Sequence, residues 1–215
     1  MKFSAVVLAL TTSLVSASPI AQEPSRVKQD MARRAGIAIS TPTDYATVAV
    51  NAHNIHRLNH SAPAVSWNTA LAADAAIVAA SCKFAHNQTV GGGGYGQNIA
   101  SSGSSANLAN DSPSKYVNQA VTDQWYNGEE PLYPAADYGK STPDLTNFES
   151  WGHFSQVVWV ASTQIGCASQ YCAAGTIFPT LNSWFTVCNY QATGNVATEY
   201  GTNVLPPLGM TTITV

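Results

Sequence analysis

His153 is the residue of this chain whose setting most directly suggests chemistry. It lies near the start of the stretch "SWGHFSQVVWV", Ser150 to Val160, which is otherwise mostly apolar and aromatic. A neutral imidazole can act as a general base or as a metal ligand. Ser155 follows two residues later, and on an extended segment both side chains would share a face. No third group that could orient this pair is evident, so no serine nucleophile is predicted.

The other histidines divide into two sets. His53, His56 and His60 lie in one predicted helix and are excluded from the site. His56 and His60 are four residues apart, which places them on one helix face that we expect to be exposed. His86 instead comes directly after the second predicted helix, where it could meet a distant part of the chain.

Four cysteines form an even set in a chain with an export signal, which predicts two disulfides rather than free thiols or a thiolate metal site. They are Cys82, Cys167, Cys172 and Cys188, and arithmetic alone allows three pairings. The same route fits three N-glycosylation sequons, which begin at Asn59, Asn87 and Asn110.

The N-terminal segments predict export. Residues 1–17 combine Lys2, an apolar run and small residues before Ala17, as a signal peptide does. Residues 18–40 are expected to be a pro-segment cut after Arg34, or a linker that stays attached. No apolar run reaches the roughly 20 residues of a transmembrane anchor. We therefore predict secretion, with a domain over residues 41–205 and a tail over residues 206–215.

The charge of the chain excludes one class of partner. The formal net charge is −3, and most of the basic residues lie in the first forty positions. Beyond residue 40 the cations are Arg57, Lys83, Lys115 and Lys140, against ten acidic residues. Such a chain has no basic surface for phosphate backbones, so we predict no nucleic-acid partner.

Hydrophobic periodicity predicts helices first and strands afterwards. A first helix is expected from Thr41, with Pro42 in its first turn, to Asn59, and an alanine-rich second helix is expected to end near Phe84. A third helix is expected to start at a serine cap and end near Gly128. The glycine- and serine-rich residues 91–112 are predicted to be a loop. Residues 156–172 and 182–192 are predicted to be strands, which together give an α+β sandwich.

Four motifs, taken together, resemble the CAP superfamily of secreted proteins: "GHFSQVVWV", "FTVCNYQATGN", "AHNIHR" and "GQNIA". The resemblance spans about residues 44–203 and implies an α-β-α sandwich, with helices on both faces of an antiparallel sheet. It also implies that Cys82 pairs with Cys172 and Cys167 with Cys188. Together with the predicted pro-segment, which contains the dibasic pair Arg33–Arg34, the resemblance indicates a secreted fungal member of this superfamily.

The resemblance further implies a cleft that can hold a divalent metal. The positions that match are His86, Glu129 and His153, with Glu130 as the alternative to Glu129. Gln97 stands where the family has a glutamate, so we expect it to be a hydrogen-bonding neighbour. Two imidazoles and a carboxylate suit Zn²⁺. The alternative is that both histidines are structural and hold the glycine loop against the sheet.

For function, the resemblance implies binding and export of small hydrophobic ligands such as sterols or fatty acids. Residues 130–150 form a long predicted loop whose aromatic side chains, Tyr133, Tyr138 and Phe148, are the candidate contacts. A metal-dependent hydrolase is one alternative, but Gln97 cannot accept a proton as a general base would. An extracellular protein that contacts a host or cell-wall partner is the other. No enzymatic turnover is predicted.

Overall fold

The computed structural model describes residues 44–215, so the predicted signal peptide and residues 18–40 lie outside the described part of the chain. Helix α1 runs over Tyr45–Asn59. Asp44 is its N-cap, and the Asp44 carboxylate accepts a hydrogen bond of 2.8 Å from the Thr47 backbone N–H. The described helix therefore begins later than the sequence predicted from Thr41, and it ends where predicted.

A four-stranded sheet forms the middle layer, in the order β1-β3-β4-β2. Its strands are β1 (Ser66–Trp67), β2 (Gly96–Ser104), β3 (Gln164–Cys172) and β4 (Asn182–Gln191). Strand β4 is antiparallel to both β2 and β3, and the short β1 is parallel to β3. The prediction of a loop over residues 91–112 was wrong for β2, because pairing along the whole of β4 forms a strand that its glycines and serines do not favour locally.

Helix α2 (Thr69–Ala80) covers one face of the sheet and ends before the predicted end at Phe84. The close approach requires glycine in β3, because a Cβ at Gly166 would lie 2.2 Å from the Ala72 backbone nitrogen. Val78 packs with Phe185 in the apolar layer between this helix and the sheet.

The other face is covered by α1, α3 and α4. Helix α3 (Pro113–Gln119) has Ser112 as its N-cap, as predicted, and continues with wider π-helical turns over Ala120–Asn127. Helix α4 (Gly152–Val158) replaces the start of the predicted strand, which in fact begins at Gln164. The periodicity of a short apolar run does not distinguish a buried helix from a strand, which explains the error. The α-β-α sandwich itself is confirmed.

Arg57 braces this face of the molecule from within. Its guanidinium is buried and donates to the carbonyl oxygens of Pro63, Val157, Trp159 and Ser162 at 2.8–2.9 Å. Burial lowers the Arg57 pKa to about 10. One side chain of α1 thus fixes the end of α4 and the turn that leads into β3.

Both disulfides are those that the resemblance implied. Cys82 is bonded to Cys172, and Cys167 is bonded to Cys188 across β3 and β4. The first bond attaches the segment after α2 to the end of β3. The second lies inside the larger apolar core.

The C-terminal tail is part of the packed domain. A short helix, α5 (Tyr200–Asn203), precedes it. The Asn59 carbonyl and side-chain oxygens accept from the backbone N–H groups of Leu208 and Met210 at 2.7 and 3.0 Å. The Asn127 amide donates to the Ile213 carbonyl at 2.7 Å. Within residues 44–215, no helix has the length and apolar character needed to span a membrane.

Candidate functional site

His153 and Glu129 form a tight pair at the first turn of α4. His153 Nδ1 lies 2.7 Å from Glu129 Oε1. Glu129 Oε2 accepts hydrogen bonds from the backbone N–H groups of His153 and Phe154 at 2.9 and 3.0 Å. Because a carboxylate oxygen accepts hydrogen bonds, Nδ1 is the donor, and in a neutral ring this leaves the lone pair on Nε2. The imidazole also stacks on Trp125. Glu129, not Glu130, therefore makes the contact with His153.

His86 and Gln97 form the second pair. Gln97 Oε1 accepts from the Asn87 backbone N–H at 3.0 Å and lies 3.2 Å from His86 Nδ1. Gln97 Nε2 donates to Asn189 Oδ1 at 2.9 Å and to the Asn87 carbonyl at 3.3 Å. A glutamate could not donate these last two bonds, which explains physically why an amide suits this buried position. His86 itself is exposed.

A glycine turn makes the second pair possible. Gly91 to Gly94 all have positive φ, between 65° and 95°. Such angles favour glycine, since a Cβ is disfavoured in the left-handed region. The turn returns the chain to β2, so that Gln97 reaches back to His86. The run of glycines is thus part of the site's framework.

The two pairs meet at consecutive residues of the edge strand β2. Gln97 contacts the His86 segment, and Asn98 Nδ2 donates to the His153 carbonyl at 3.0 Å. Because neighbouring strand residues point to opposite faces, one pair approaches β2 from the α2 side and the other from the α1 side. The four predicted residues therefore form two hydrogen-bonded pairs, each connected to the edge strand β2.

A series of buried, hydrogen-bonded side chains connects this edge of the sheet to helix α1. Asn98 also donates to the Tyr190 hydroxyl at 3.2 Å, and that hydroxyl lies 2.8 Å from His53 Nε2. His53 Nδ1 in turn donates to the Ala49 carbonyl at 2.8 Å. Complete burial lowers the His53 pKa to about 4, so this ring is neutral. His53 thus packs in the interior, and through Tyr190 and Asn98 it also orients the residues next to His153.

The residues present do not form a ready three-ligand metal set. Among residues 44–215, no group of three or more His, Cys, Asp or Glu side chains lies close enough to hold a metal ion. Both oxygens of Glu129 are already engaged, and Gln97 supplies an amide in place of a carboxylate. The free imidazole nitrogens of His86 and His153 are the donors that remain. A catalytic zinc site usually needs three protein ligands.

Ser155 is unsuited to nucleophilic chemistry. It lies inside helix α4, not on the extended segment assumed from the sequence, and it is fully buried. Its hydroxyl contacts the Gly152 carbonyl and the Asn195 side chain. Neither contact supplies a base.

The prediction of an exposed face for His56 and His60 was wrong, because both rings are buried. His56 stacks on the Tyr126 ring with centroids 3.9 Å apart, and its Nε2 lies 3.2 Å from the Thr122 hydroxyl. His60 Nδ1 donates to the Leu205 carbonyl at 2.6 Å, and Nε2 faces the Tyr126 hydroxyl at 3.0 Å. Burial lowers the pKa of His60. The partners lie far away in sequence, so helical spacing alone could not reveal them.

The predicted ligand-binding aromatics pack toward the core. Tyr133 is buried and meets Trp151 edge-on, with ring centroids 5.0 Å apart. Phe148 contacts the same tryptophan at 5.1 Å, and Tyr138 lies 4.9 Å from Tyr133. Tyr138 and Phe148 are half-buried, so part of each ring reaches the surface.

A cavity of about 260 Å³ lies between α1, the end of α3 and the C-terminal tail. We call it the helix–tail cavity. Its apolar wall residues are Ile55, Pro131, Pro207, Met210 and Ile213. Its polar wall residues include His56, Asn59, Tyr126, Asn127 and Glu130. Sequence reasoning missed this cavity because the tail that closes it carries no periodic pattern.

The three sequons differ in their surroundings. The Asn59 amide is half-buried, donates to the Tyr126 hydroxyl at 2.8 Å and accepts from Met210. Asn87 and Asn110 are exposed. The tail contacts therefore disfavour a glycan at Asn59, while the other two positions have room for one.

The layered sheet, the two disulfides and the paired histidines define a cross-linked α-β-α sandwich. A family model described as "Cysteine-rich secretory protein family" (CAP) matches residues 50–190. The chain belongs to the CAP family.

Known relatives agree with this assignment. The chain is 42% identical over 173 residues to a "Probable pathogenesis-related protein" of Arthroderma benhamiae, covering 80% of this chain and 52% of that protein. It is 31% identical over 166 residues to "Protein PRY2" of Saccharomyces cerevisiae, covering 76% and 42%. The chain thus spans about half the length of these relatives. A solved structure described as "Crystal structure of NaASP2 with Zn2+" shares the fold at a TM-score of 0.60 and 20% identity, covering 77% of this chain and 87% of that one.

Proposed function

We propose that this protein is exported and binds a small apolar ligand in the helix–tail cavity. The observation that carries the proposal is the cavity itself, which combines an apolar wall with a few hydrogen-bonding groups, as small-molecule sites do. The signal-like residues 1–17 and the two disulfides support export, since disulfides persist in oxidising compartments. A relative named "Secreted protein RBT4", from Candida albicans, agrees with this location.

The size of the cavity restricts the ligand. Its volume of about 260 Å³ lies below the roughly 300–1,000 Å³ of sites for drug-sized molecules. A single short alkyl chain suits this volume, whereas a sterol would require the tail to move outward. Sterols and fatty acids, the two classes that the resemblance implies, are therefore both worth testing.

Binding can be measured with the secreted full-length protein and the neutral fluorescent probe N-phenyl-1-naphthylamine, with cholesterol and palmitate as competitors. Ile55→Trp fills the cavity, and we expect it to weaken probe binding at least about tenfold. Ile77→Trp is the matched control, because Ile77 is 61% exposed on α2. Absence of probe binding to the wild type would overturn the proposal.

The loop expectation is tested in the same assay. Phe148→Ala removes one half-buried ring of the predicted ligand loop without touching the cavity wall. If Phe148→Ala abolishes binding and Ile55→Trp does not, the ligand site is the loop over residues 130–150. The cavity assignment requires the opposite result.

For the histidine pairs we propose weak cation binding without turnover. A divalent ion such as Zn²⁺ would be held by the free nitrogens of His86 and His153, while Glu129 orients His153. Such an ion would supply Lewis acidity, but no described residue at this edge is free to act as a general base. His153→Ala should remove zinc binding in a calorimetric titration, and unchanged affinity would refute the assignment.

A further inference from the structure

The helix–tail cavity has one fixed negative charge at its polar end. Glu130 is the carboxylate of its wall, and no lysine or arginine belongs to the wall. Among residues 44–215, Lys115 and Lys140 form the lysine ion pairs, with Asp111 and Asp137, and no lysine or arginine pairs with Glu130. The charge of Glu130 is therefore not neutralised by a lysine or arginine of residues 44–215.

The backbone of Glu130 is fixed on both sides. Glu130 opens the single turn Glu130–Leu132, and the Tyr133 backbone N–H donates to its carbonyl at 3.2 Å. The preceding residue, Glu129, is fixed by its three bonds to α4. Pro131 follows immediately and restricts the backbone further.

Neighbouring phenols already experience the Glu130 charge. Burial chiefly, and Glu130 in addition, raise the pKa of Tyr126 to about 12. The same two causes raise the pKa of Tyr138, whose hydroxyl lies 3.5 Å from Glu130 Oε1. Both phenols stay protonated at neutral pH, so neither adds a second negative charge to that of Glu130.

We propose that the cavity selects amphiphiles whose head group is not anionic and can donate a hydrogen bond, such as alcohols and amines, over carboxylates of the same chain. This inference rests on the proposed ligand-binding function. A hydroxyl or ammonium head can donate to the Glu130 carboxylate, and hydrogen bonds to charged groups are the stronger kind. A carboxylate head would instead meet a like charge in a partly desolvated space, where repulsion is weakly screened.

The test uses the full-length protein at neutral pH and three probes with the same chain: dodecanol, dodecylamine and dodecanoate. Each competes with N-phenyl-1-naphthylamine. We expect dodecanol and dodecylamine to displace it at concentrations at least about tenfold lower than dodecanoate. In Glu130→Gln the disadvantage of dodecanoate should shrink to about threefold or less. Glu199→Gln, which removes an exposed carboxylate outside the cavity wall, is the matched control and should keep the wild-type ranking.

The outcomes distinguish the head-group preference from ligand binding itself. If dodecanoate competes as well as dodecanol in the wild type, the head-group inference fails while ligand binding stands. If Glu199→Gln changes the ranking as much as Glu130→Gln does, net charge is responsible and the inference also fails. If the probe itself does not bind, the proposed function fails. Retention of the ranking by Glu199→Gln, with its loss in Glu130→Gln, supports the inference.

Discussion

The histidine pairs and the helix–tail cavity are both built from polar side chains, but they satisfy those side chains differently. At the histidine pairs, Glu129 and Gln97 are bonded to neighbouring elements of the sandwich, α4 and β4, and to the segment after α2. At the cavity, Asn59 and Asn127 are bonded to the C-terminal tail. The first region is closed by its own framework, whereas the second is closed by a single peripheral segment.

This difference indicates where a ligand can bind without disturbing the fold. Polar groups that already satisfy one another have little to offer a ligand, and breaking them costs stability. A wall made by one segment can move while the core stays intact. Four measurements test this contrast between the histidine pairs and the helix–tail cavity.

The largest effect is expected at the carboxylate that holds α4. Glu129→Ala leaves two backbone N–H groups and the His153 ring without their acceptor, which should lower the free energy of unfolding by about 3 kcal/mol. Glu130→Ala, one residue later, should lower it by less than about 1 kcal/mol. Urea denaturation measures both. Equal losses would mean that the histidine pairs are not held more tightly than the cavity.

The buried polar chain beneath β2 predicts a loss of stability in acid. The His53 pKa is lowered to about 4, from an ordinary value of 6.5 in the unfolded chain. The unfolded state therefore binds the proton first, so stability is complete above pH 6.5 and falls as the pH drops toward 4. The total loss from this group should be about 3 kcal/mol.

His53→Gln should flatten this pH dependence, as measured by urea unfolding between neutral pH and pH 4.5. The lowered pKa of His60 acts in the same direction, so a residual slope is expected. An unchanged slope would show that His53 is not the proton-linked group. His60→Gln provides the comparison for the cavity side.

The hydrogen bonds at Asn59, beside the tail, should contribute less to the free energy of unfolding than those of Glu129. Asn59→Ala removes the bond to Tyr126 and the acceptor for Met210, at a cost of about 2 kcal/mol. Ser61→Ala also destroys the sequon but leaves both bonds in place, so it should cost less than about 0.5 kcal/mol. Thermal unfolding of the two variants checks this. Similar losses would point to a role for a glycan rather than for the tail.

The smallest effect is expected when the amide of Gln97 is replaced by a carboxylate, which could act as a metal ligand. Gln97→Glu places a carboxylate beside His86, so zinc affinity should rise about tenfold in calorimetric titration, which is about 1.4 kcal/mol. The same change removes the donor to Asn189, so the metal-free protein should be slightly less stable. Unchanged zinc affinity would separate the His86 pair from cation binding altogether.

The sequence predicted well those features that depend on local signals or on family motifs. Ser112 with Pro113 marked the start of α3, and the apolar repeat located α1. The disulfide pairing, and Glu129 as the partner of His153, were predicted from the family resemblance. Spacing alone left three disulfide pairings open.

The failures share a physical cause, which is that distant contacts decide the structure. Strand β2 has no alternating pattern and forms because β4 pairs with it over nine positions. The burial of His60 depends on Leu205, 145 residues away. The cavity exists only because the tail returns to Asn59. None of these contacts leaves a signal within a short window of sequence.

The bond between Cys82 and Cys172 closes a stretch of 90 residues, and it stands four residues before His86. The His86 half of the paired site is therefore tethered to the sheet by a covalent link that needs an oxidant, while the His153 half is set by packing and hydrogen bonds. Formation of this disulfide therefore contributes to positioning His86, and it requires conditions in which thiols are oxidised.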